Sequence, residues 1–217
     1  MSTRITNLII IALFVLSLVV GALLWNRLPD LMASHWNAGD QVDGYMPKFW
    51  GVFLMPLMML GMFALFSIIP AIDPLKANIA QFREIFNLFI VLIFLFLEYI
   101  WILTLRWNLG DTNFRMSAAM LPALGLLFIF IGYMLRQAKR NFFIGIRTPW
   151  TLSSDKVWDE THRLGSILFI ISGLLALFGS LFGGSIAFLL ILVPLTASAI
   201  ILVVYSYLLY RGETGLK

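Results

Sequence analysis

The chain has 217 residues, of which 61% are hydrophobic and 12% charged, and its mean hydropathy is +0.95. Soluble domains are about half apolar and about a quarter charged, so this composition excludes a soluble protein and predicts one compact membrane domain over residues 1–217. The lack of cysteine excludes disulfides, thiol catalysis and cysteine-ligated metals. Because the basic residues behind the net charge of +4 flank the apolar runs, they indicate membrane topology rather than binding to nucleic acid.

Six nearly uncharged runs are long enough to cross a bilayer as helices of about 20 residues. Helices are expected because these continuous apolar runs lack the alternation of barrel strands. The predicted spans are Leu8–Trp25, Phe49–Ile72, Ile85–Leu105, Met116–Leu135, Leu164–Phe182 and Ser185–Tyr210. The predicted fold class is therefore an all-α integral membrane protein with six transmembrane helices.

The distribution of lysine and arginine predicts how these helices are oriented. The loop at residues 136–163 alone carries six of them, and the remaining ones on its side outnumber those on the other side. Because basic loops stay in the cytoplasm, both termini and this loop are expected inside the cell, and loop 26–48 outside. Each half of the chain runs helix, long loop, helix, short loop, helix. This order allows a 3+3 inverted arrangement, although no residue match between the halves supports it.

The loop expected outside the cell carries the first group of candidate functional residues. Its sequence, RLPDLMASHWNAGDQVDGYMPKFWG, combines turn-forming glycines with a histidine, acidic residues and aromatic rings. A metal ion bound by His35, Asp40 and Asp43 is one interpretation, but the spacing does not fit an EF-hand and no second histidine is near. A loop that is folded by Asx turns and by the Trp36 and Tyr45 rings, and that recognises something outside the cell, fits the pattern better.

Glu98 is a carboxylate well inside the third predicted span. A carboxylate at this depth is costly unless it is protonated, hydrated or paired, so it indicates a proton or substrate site and motivates a transporter hypothesis. The alternative is a structural role, in which Arg106 reaches back to Glu98 or the side chain extends towards the interface.

The loop expected in the cytoplasm carries the second group, within the sequence NFFIGIRTPWTLSSDKVWDETHRLG. Gly145, Pro149 and Trp150 predict a defined segment at the level of the lipid headgroups rather than a floppy linker. The neighbouring basic residues suit anionic headgroups, so binding to membrane lipids and a more specific function both remain open.

A helix is expected to follow this segment and to run directly into the fifth span. Ser154 can cap its first turn, and Trp158 is placed over His162 one turn later. The second histidine, His35, lies on the opposite side of the membrane, and neither histidine has a nucleophile at a diagnostic spacing. No catalytic arrangement emerges, and the protein is not expected to be an enzyme.

Small residues recur every seven positions in the fifth span and therefore share one face of its helix. They are Gly165, Ser166, Ser172, Gly173, Gly179 and Ser180. Such a stripe allows two membrane helices to approach closely. Packing within the chain is favoured over a dimer interface, because six helices offer many internal partners.

Two segments carry a resemblance to known families. LPDLMASHWNAGDQVDGYMPK resembles the signature of a small bacterial domain of unknown function, and NFFIGIRTPWTLSSDKVWDETHRLG resembles the signature of the SdpI family. Their order, spacing and six-span frame extend the resemblance over nearly all of the chain. It implies an N-terminal region at residues 5–72 and an SdpI-like region at residues 116–210. The family looks like bacterial membrane proteins that give immunity against the sporulation-delaying-protein toxin, a secreted peptide that collapses the membrane potential.

The resemblance implies a signal-transducing receptor in the bacterial cytoplasmic membrane that binds a secreted peptide toxin and holds a cytoplasmic repressor at the membrane. The toxin-facing residues would be His35, Trp36, Asn37, Asp43, Gly44 and Tyr45. The cytoplasmic partner motif would be Gly145, Arg147, Thr148, Pro149, Trp150, Thr151, Trp158, Thr161, His162 and Arg163. A small transporter that uses Glu98 is the alternative, and a metal-dependent membrane enzyme is a weaker one. No cofactor is assigned.

Overall fold

The computed structural model describes residues 1–215 and contains long helices with one small sheet. The helices are α1 Thr3–Leu24, α2 Lys48–Ile72, α3 Lys76–Gln81, α4 Arg83–Asn108, α5 Met116–Leu135, α6 Pro149–Ser153, α7 Asp155–Gly179 and α8 Gly184–Thr214. The strands are β1 Leu31–Trp36 and β2 Val42–Pro47, and a 3₁₀ turn, Trp25–Arg27, follows α1. Within the described residues, six helices (α1, α2, α4, α5, α7 and α8) are long and apolar enough to cross a membrane, which confirms the predicted all-α architecture.

The helices begin where capping side chains satisfy their first N–H groups rather than where the apolar runs begin. Ser154 Oγ accepts a hydrogen bond from Val157 N at 3.3 Å, so α7 starts at Asp155 and carries a polar first turn, as predicted. Ser2 caps α1 in the same way by accepting from Ile5 N.

The six long helices form two packed groups, α1 with α2 and α4, and α5 with α7 and α8, which meet where α4 contacts α5. The closest approach is between α5 and α7, where a Cβ on Gly173 would lie 2.5 Å from Gly125 O. One on Gly132 would lie 2.6 Å from Ser166 O. The stripe of small residues on α7 thus packs within the chain, which confirms that prediction.

The loop between α5 and α7 is fixed to the short connection between α2 and α4. The buried Asp73 accepts a hydrogen bond from Phe142 N at 2.9 Å, and Asn78 Nδ2 donates to Arg140 O at 2.8 Å. The Trp158 ring joins the apolar cluster formed by α1, α2 and α4. This loop is therefore part of the folded core.

Candidate functional site

The predicted outer loop is a β-hairpin in which β1 and β2 pair antiparallel, with Leu31 opposite Pro47 and His35 opposite Gly44. At its tip, Asn37 Oδ1 accepts hydrogen bonds from Gly39 N at 2.8 Å and Gln41 N at 3.1 Å. This is the Asx-type turn that the sequence predicts. The turn presents the next acidic side chain, Asp40, away from the strands.

The base of the hairpin is held by the end of α4. Ala33 N donates to Asn108 Oδ1 at 2.7 Å, and Asn108 Nδ2 donates back to Ala33 O at 3.0 Å. The Trp36 ring meets Trp107 edge-on, with 5.6 Å between centroids. The hairpin consequently has a fixed position above the helices.

The tip of the hairpin is joined to two helices by one carboxylate, which we call the Asp40 latch. Asp40 accepts hydrogen bonds from Ser117 N at 2.7 Å, Ser117 Oγ at 2.6 Å and Gly184 N at 3.1 Å. Ser117 and Gly184 lie in the first turns of α5 and α8, where free N–H groups and the helix dipole favour a negative charge. The latch therefore connects the hairpin to both helices.

The three residues considered as metal donors do not converge. His35 Nδ1 pairs with Asp43 Oδ1 at 2.5 Å, whereas Asp40 is turned towards α5 and α8 in the latch. In the described part of the chain, no group of three His, Cys, Asp or Glu side chains is placed to hold a metal ion. The alternative of a metal ion bound by His35, Asp40 and Asp43 is thus replaced by a His35–Asp43 hydrogen bond and a carboxylate bound at two helix N-termini.

A cleft of about 420 Å³ lies between the hairpin tip, α5 and α8. Its polar wall comes from the hairpin and the latch, and its apolar wall comes from α5 and α8. The lining residues are His35, Trp36, Asn37, Ala38, Asp40, Met116, Ser117, Met120, Leu121, Leu124, Gly184, Phe188 and Ile191. A concave site of this size with a mostly apolar lining suits an apolar segment whose polar groups are held at one wall.

Only some of the predicted toxin-facing residues of the hairpin face the cleft. His35, Trp36 and Asn37 line the cleft. Gly44 lies opposite His35 in the ladder, where a Cβ would come within 2.8 Å of His35 Cβ. The Tyr45 ring points away and is exposed. Only the first strand and the tip therefore contribute directly to the cleft.

The predicted inner motif folds around His162. Its Nε2 accepts from Ile146 N at 3.0 Å, and its Nδ1 donates to Trp158 O at 2.8 Å, so both ring nitrogens are used by the neutral ring. The Trp158 ring stacks on His162 with 3.9 Å between centroids, as predicted. Gly145 has a φ of 108° and approaches His162 so closely that a side chain there would overlap the imidazole.

The same motif contacts the last turns of α8. Thr148 and Thr151 form a capping box that starts α6, and Thr148 Oγ1 donates to Ser206 Oγ at 3.0 Å. The Trp150 ring packs on Tyr207, with 5.1 Å between centroids. α8 therefore contacts the Asp40 latch at one end and the inner motif at the other.

Burial separates the predicted partner motif into two sets. The buried side chains are Thr148, Thr151, Trp158, Thr161 and His162. The exposed ones are Arg147, Pro149 and Arg163, while Gly145 and Trp150 are half-buried. Only the exposed set can meet a soluble partner without rearrangement, and the buried set shapes the loop.

Glu98 is 5% exposed and faces the interior of the first helix group, where Ser17 of α1 is its polar neighbour. Its Oε2 has no hydrogen-bond partner in the described part of the chain. Arg106 does not reach back to Glu98, because it pairs with Asp111 and lies over the Phe114 ring instead. The alternative in which Arg106 pairs with Glu98 is therefore not realised in the structure.

Comparison with known proteins matches the two loops to two different family models. A family model described as the SdpI/YfhL protein family matches residues 137–206, and a Domain of unknown function (DUF1648) matches residues 12–60. "Immunity protein SdpI" of Bacillus subtilis (strain 168) is 27% identical over 210 residues, which cover 96% of this chain and 98% of that protein. The chain is therefore similar to the SdpI/YfhL family in its C-terminal half and to Immunity protein SdpI over nearly its full length. No solved structure matches it significantly.

Six helices able to span a membrane and the similarity to SdpI proteins together identify the chain as a multi-pass bacterial membrane protein. The SdpI/YfhL match contains the inner motif and Gly184, and the DUF1648 match contains the whole hairpin. The Asp40 latch thus joins the two matched regions directly.

Two residues of the site, Ser117 and Ser206, carry no signal in the sequence. Each is a single residue in or beside a long apolar run, and its partner lies far away along the chain. Asp40 could be found as a polar residue of the outer loop, but the sequence did not indicate its role at the helix ends.

Proposed function

We propose that this chain is an immunity protein that protects the membrane of its host against a secreted antimicrobial peptide and acts as a receptor for that peptide. A relative named Immunity protein SdpI, aligned over nearly its full length, supports the proposal. The observation that carries it is the cleft of about 420 Å³ under the latched hairpin, which offers an apolar peptide an apolar wall beside polar groups.

In this proposal both termini lie in the cytoplasm, with the hairpin outside the cell and the inner motif inside it. The excess of lysine and arginine around residues 136–163 supports this orientation. The two helix groups form a 3+3 inverted arrangement. The first has its long connection outside as the hairpin, and the second has its long connection inside as the loop with α6.

Signal transmission requires two conformations that the peptide binds unequally. A peptide in the cleft would contact the latch and change how Asp40 holds Gly184 at the start of α8. The other end of α8 contacts Thr148 and Trp150 through Ser206 and Tyr207. A shift of α8 would therefore alter the surface of the inner motif.

The cytoplasmic output in this proposal is a repressor protein held at the membrane. Its contact surface would be the exposed Arg147, Pro149 and Arg163, which the packed Trp158 and His162 keep in place. Anionic lipid headgroups are a second partner for the two arginines. Arg147→Ala should abolish peptide-induced expression of a reporter gene that the repressor controls, and it should leave protection against the peptide intact. Unchanged reporter expression would contradict the repressor contact.

The experiment that tests the proposal measures survival and membrane potential of sensitive bacteria that express the chain and are challenged with sporulation-delaying-protein toxin. Wild-type protein should protect. Leu124→Trp, which fills the cleft, should lower protection about tenfold, as expected when a contact worth about 1.4 kcal/mol is lost. Leu126→Trp, on the outward face of α5, is the matched control and should protect like the wild type. A correctly inserted wild-type protein that gives no protection would refute the immunity function. A fully protective Leu124→Trp variant would refute the cleft as the binding site of the peptide.

A small transporter is the second candidate, and the buried Glu98 with an unpartnered Oε2 is the observation that favours it. Glu98→Gln should then abolish proton-coupled flux in liposomes. Equal flux of the variant and the wild type would remove Glu98 from any transport mechanism.

A further inference from the structure

A second groove, independent of the cleft, runs between α1, α2 and α4 at the end of the molecule that holds the N-terminus. Its polar part is a cavity of about 120 Å³, lined among others by Thr3, Asn7, Ser67, Arg83 and Asn87. Its apolar part is a cavity of about 230 Å³, lined by Ile10, Ile11, Phe14, Met59, Leu60 and Phe63. Ile10 and Phe63 line both cavities, so the two cavities adjoin along α1 and together form the groove.

Arg83 is the charged group of the polar part. It is half-buried at the start of α4 and lies over the Phe86 ring at 5.7 Å. In the described part of the chain no carboxylate forms an ion pair with it, and the adjacent Glu84 faces the N-terminal ammonium at 3.8 Å. A partly desolvated guanidinium without a carboxylate is suited to a phosphate oxygen.

Asn87 supplies a second and independent polar group. It is 1% exposed, and its Nδ2 donates to Met1 O at 3.0 Å and Thr3 Oγ1 at 3.1 Å. These two bonds fix the orientation of the amide, so that Oδ1 is the atom left over. Oδ1 has no donor within residues 1–215. Because a buried carbonyl oxygen without a donor is costly, this site favours a ligand that carries an N–H or O–H group.

The length of the groove matches one leaflet of a bilayer. Along α1, the lining residues run from Thr3 to Phe14, which is about 16 Å at 1.5 Å per residue. The hydrocarbon core of a bilayer is about 30 Å thick, so the groove reaches from the headgroup level to about its centre.

We propose that this groove binds one phospholipid of the adjacent leaflet. Arg83 holds the phosphate, Asn87 Oδ1 accepts a hydrogen bond from an ethanolamine or glycerol headgroup, and one acyl chain lies along Ile11, Phe14 and Leu60. Phosphatidylcholine has the same phosphate but no headgroup donor, so the site selects against it. The proposal does not depend on the immunity function.

The test measures phospholipid retained by the purified full-length chain. The protein is placed in phosphatidylcholine nanodiscs that contain phosphatidylethanolamine or phosphatidylglycerol as a minor component. It is then extracted into detergent and analysed by native mass spectrometry. Wild-type protein should keep one molecule of the minor lipid. Arg83→Gln should lower this retention about tenfold, and Arg83→Lys should restore part of it. Ile11→Trp should lower retention by filling the tail groove.

Arg136→Gln is the matched control, because Arg136 is an exposed basic residue beyond α5, at the same end of the molecule as Arg83, and should leave retention unchanged. Thermal unfolding of each variant identifies any that fail to fold. Equal retention by Arg83→Gln and the wild type would overturn the proposal, as would retention of phosphatidylcholine at the same level. Inorganic phosphate added to lipid-free protein separates the two sources of phosphate. Saturable phosphate binding without lipid retention would show a site for small anions and would overturn the proposal that the groove binds a phospholipid.

Discussion

Asp40 holds the hairpin tip through three donors from two helices, so its charge is expected to matter more than that of other acidic residues on the hairpin. Asp40→Asn keeps the size of the side chain but removes the charge, and it should weaken hairpin docking by about 1.5–3 kcal/mol. Hydrogen exchange at the amides of Ser117 and Gly184 should become faster by at least about tenfold. Asp30→Asn, at the hairpin base and 98% exposed, should change neither amide. Unchanged exchange in Asp40→Asn would mean that the latch contributes little.

Gly145 is the residue of the inner motif whose backbone requires glycine. Gly145→Ala combines a φ of 108° with an overlap on His162, and it should destabilise the protein by about 1–3 kcal/mol. Thermal unfolding in detergent measures the effect. Gly212→Ala is the control, since Gly212 lies in α8 with nothing near its Cβ position, and it should be neutral or slightly stabilising. If Gly145→Ala melted at the same temperature as the wild type, the result would contradict the close packing around His162.

At the scale of elements, the contact between α5 and α7 depends on three glycines, Gly125, Gly132 and Gly173, that let the backbones approach. Gly173→Leu would drive a side chain into Gly125 O and Ile129, and it should lower stability by about 1–3 kcal/mol or separate the helices. Gly61→Leu places the same side chain on an open face of α2 and should be tolerated. The measurement is the fraction of monodisperse protein after heating. If both variants behaved alike, close packing of α5 and α7 would not be needed for stability.

At the scale of the whole molecule, the orientation can be tested directly because the chain contains no cysteine. Asp30→Cys on the hairpin side should react with a membrane-impermeant maleimide in intact cells. Ser153→Cys in α6 should react only after permeabilisation, and both positions are exposed. The reverse labelling pattern would invert the proposed topology and exclude an outer peptide site at the hairpin.

The sequence by itself determined the six spans, because hydrocarbon leaves an apolar run no stable alternative to a helix that satisfies its own backbone. Capping at Ser154 and stacking of Trp158 on His162 were also predictable, since each depends on residues within one turn. The general location of the site followed from the two polar loops, which differ in composition from the spans that flank them.

Only the tertiary structure decided what those loops do. Asp40 meets Ser117 and Gly184 across 77 and 144 residues of sequence, and single polar residues at helix ends carry no periodic signal that could pair them. The sequence left a metal ion at Asp40 open as a less favoured alternative for this reason, since only the fold shows that free N–H groups at the starts of two helices bind this carboxylate. The pairing of β1 with β2 and the burial of half the inner motif likewise depend on which helices are neighbours in the folded protein. Insertion of the separate spans into the membrane does not determine that arrangement.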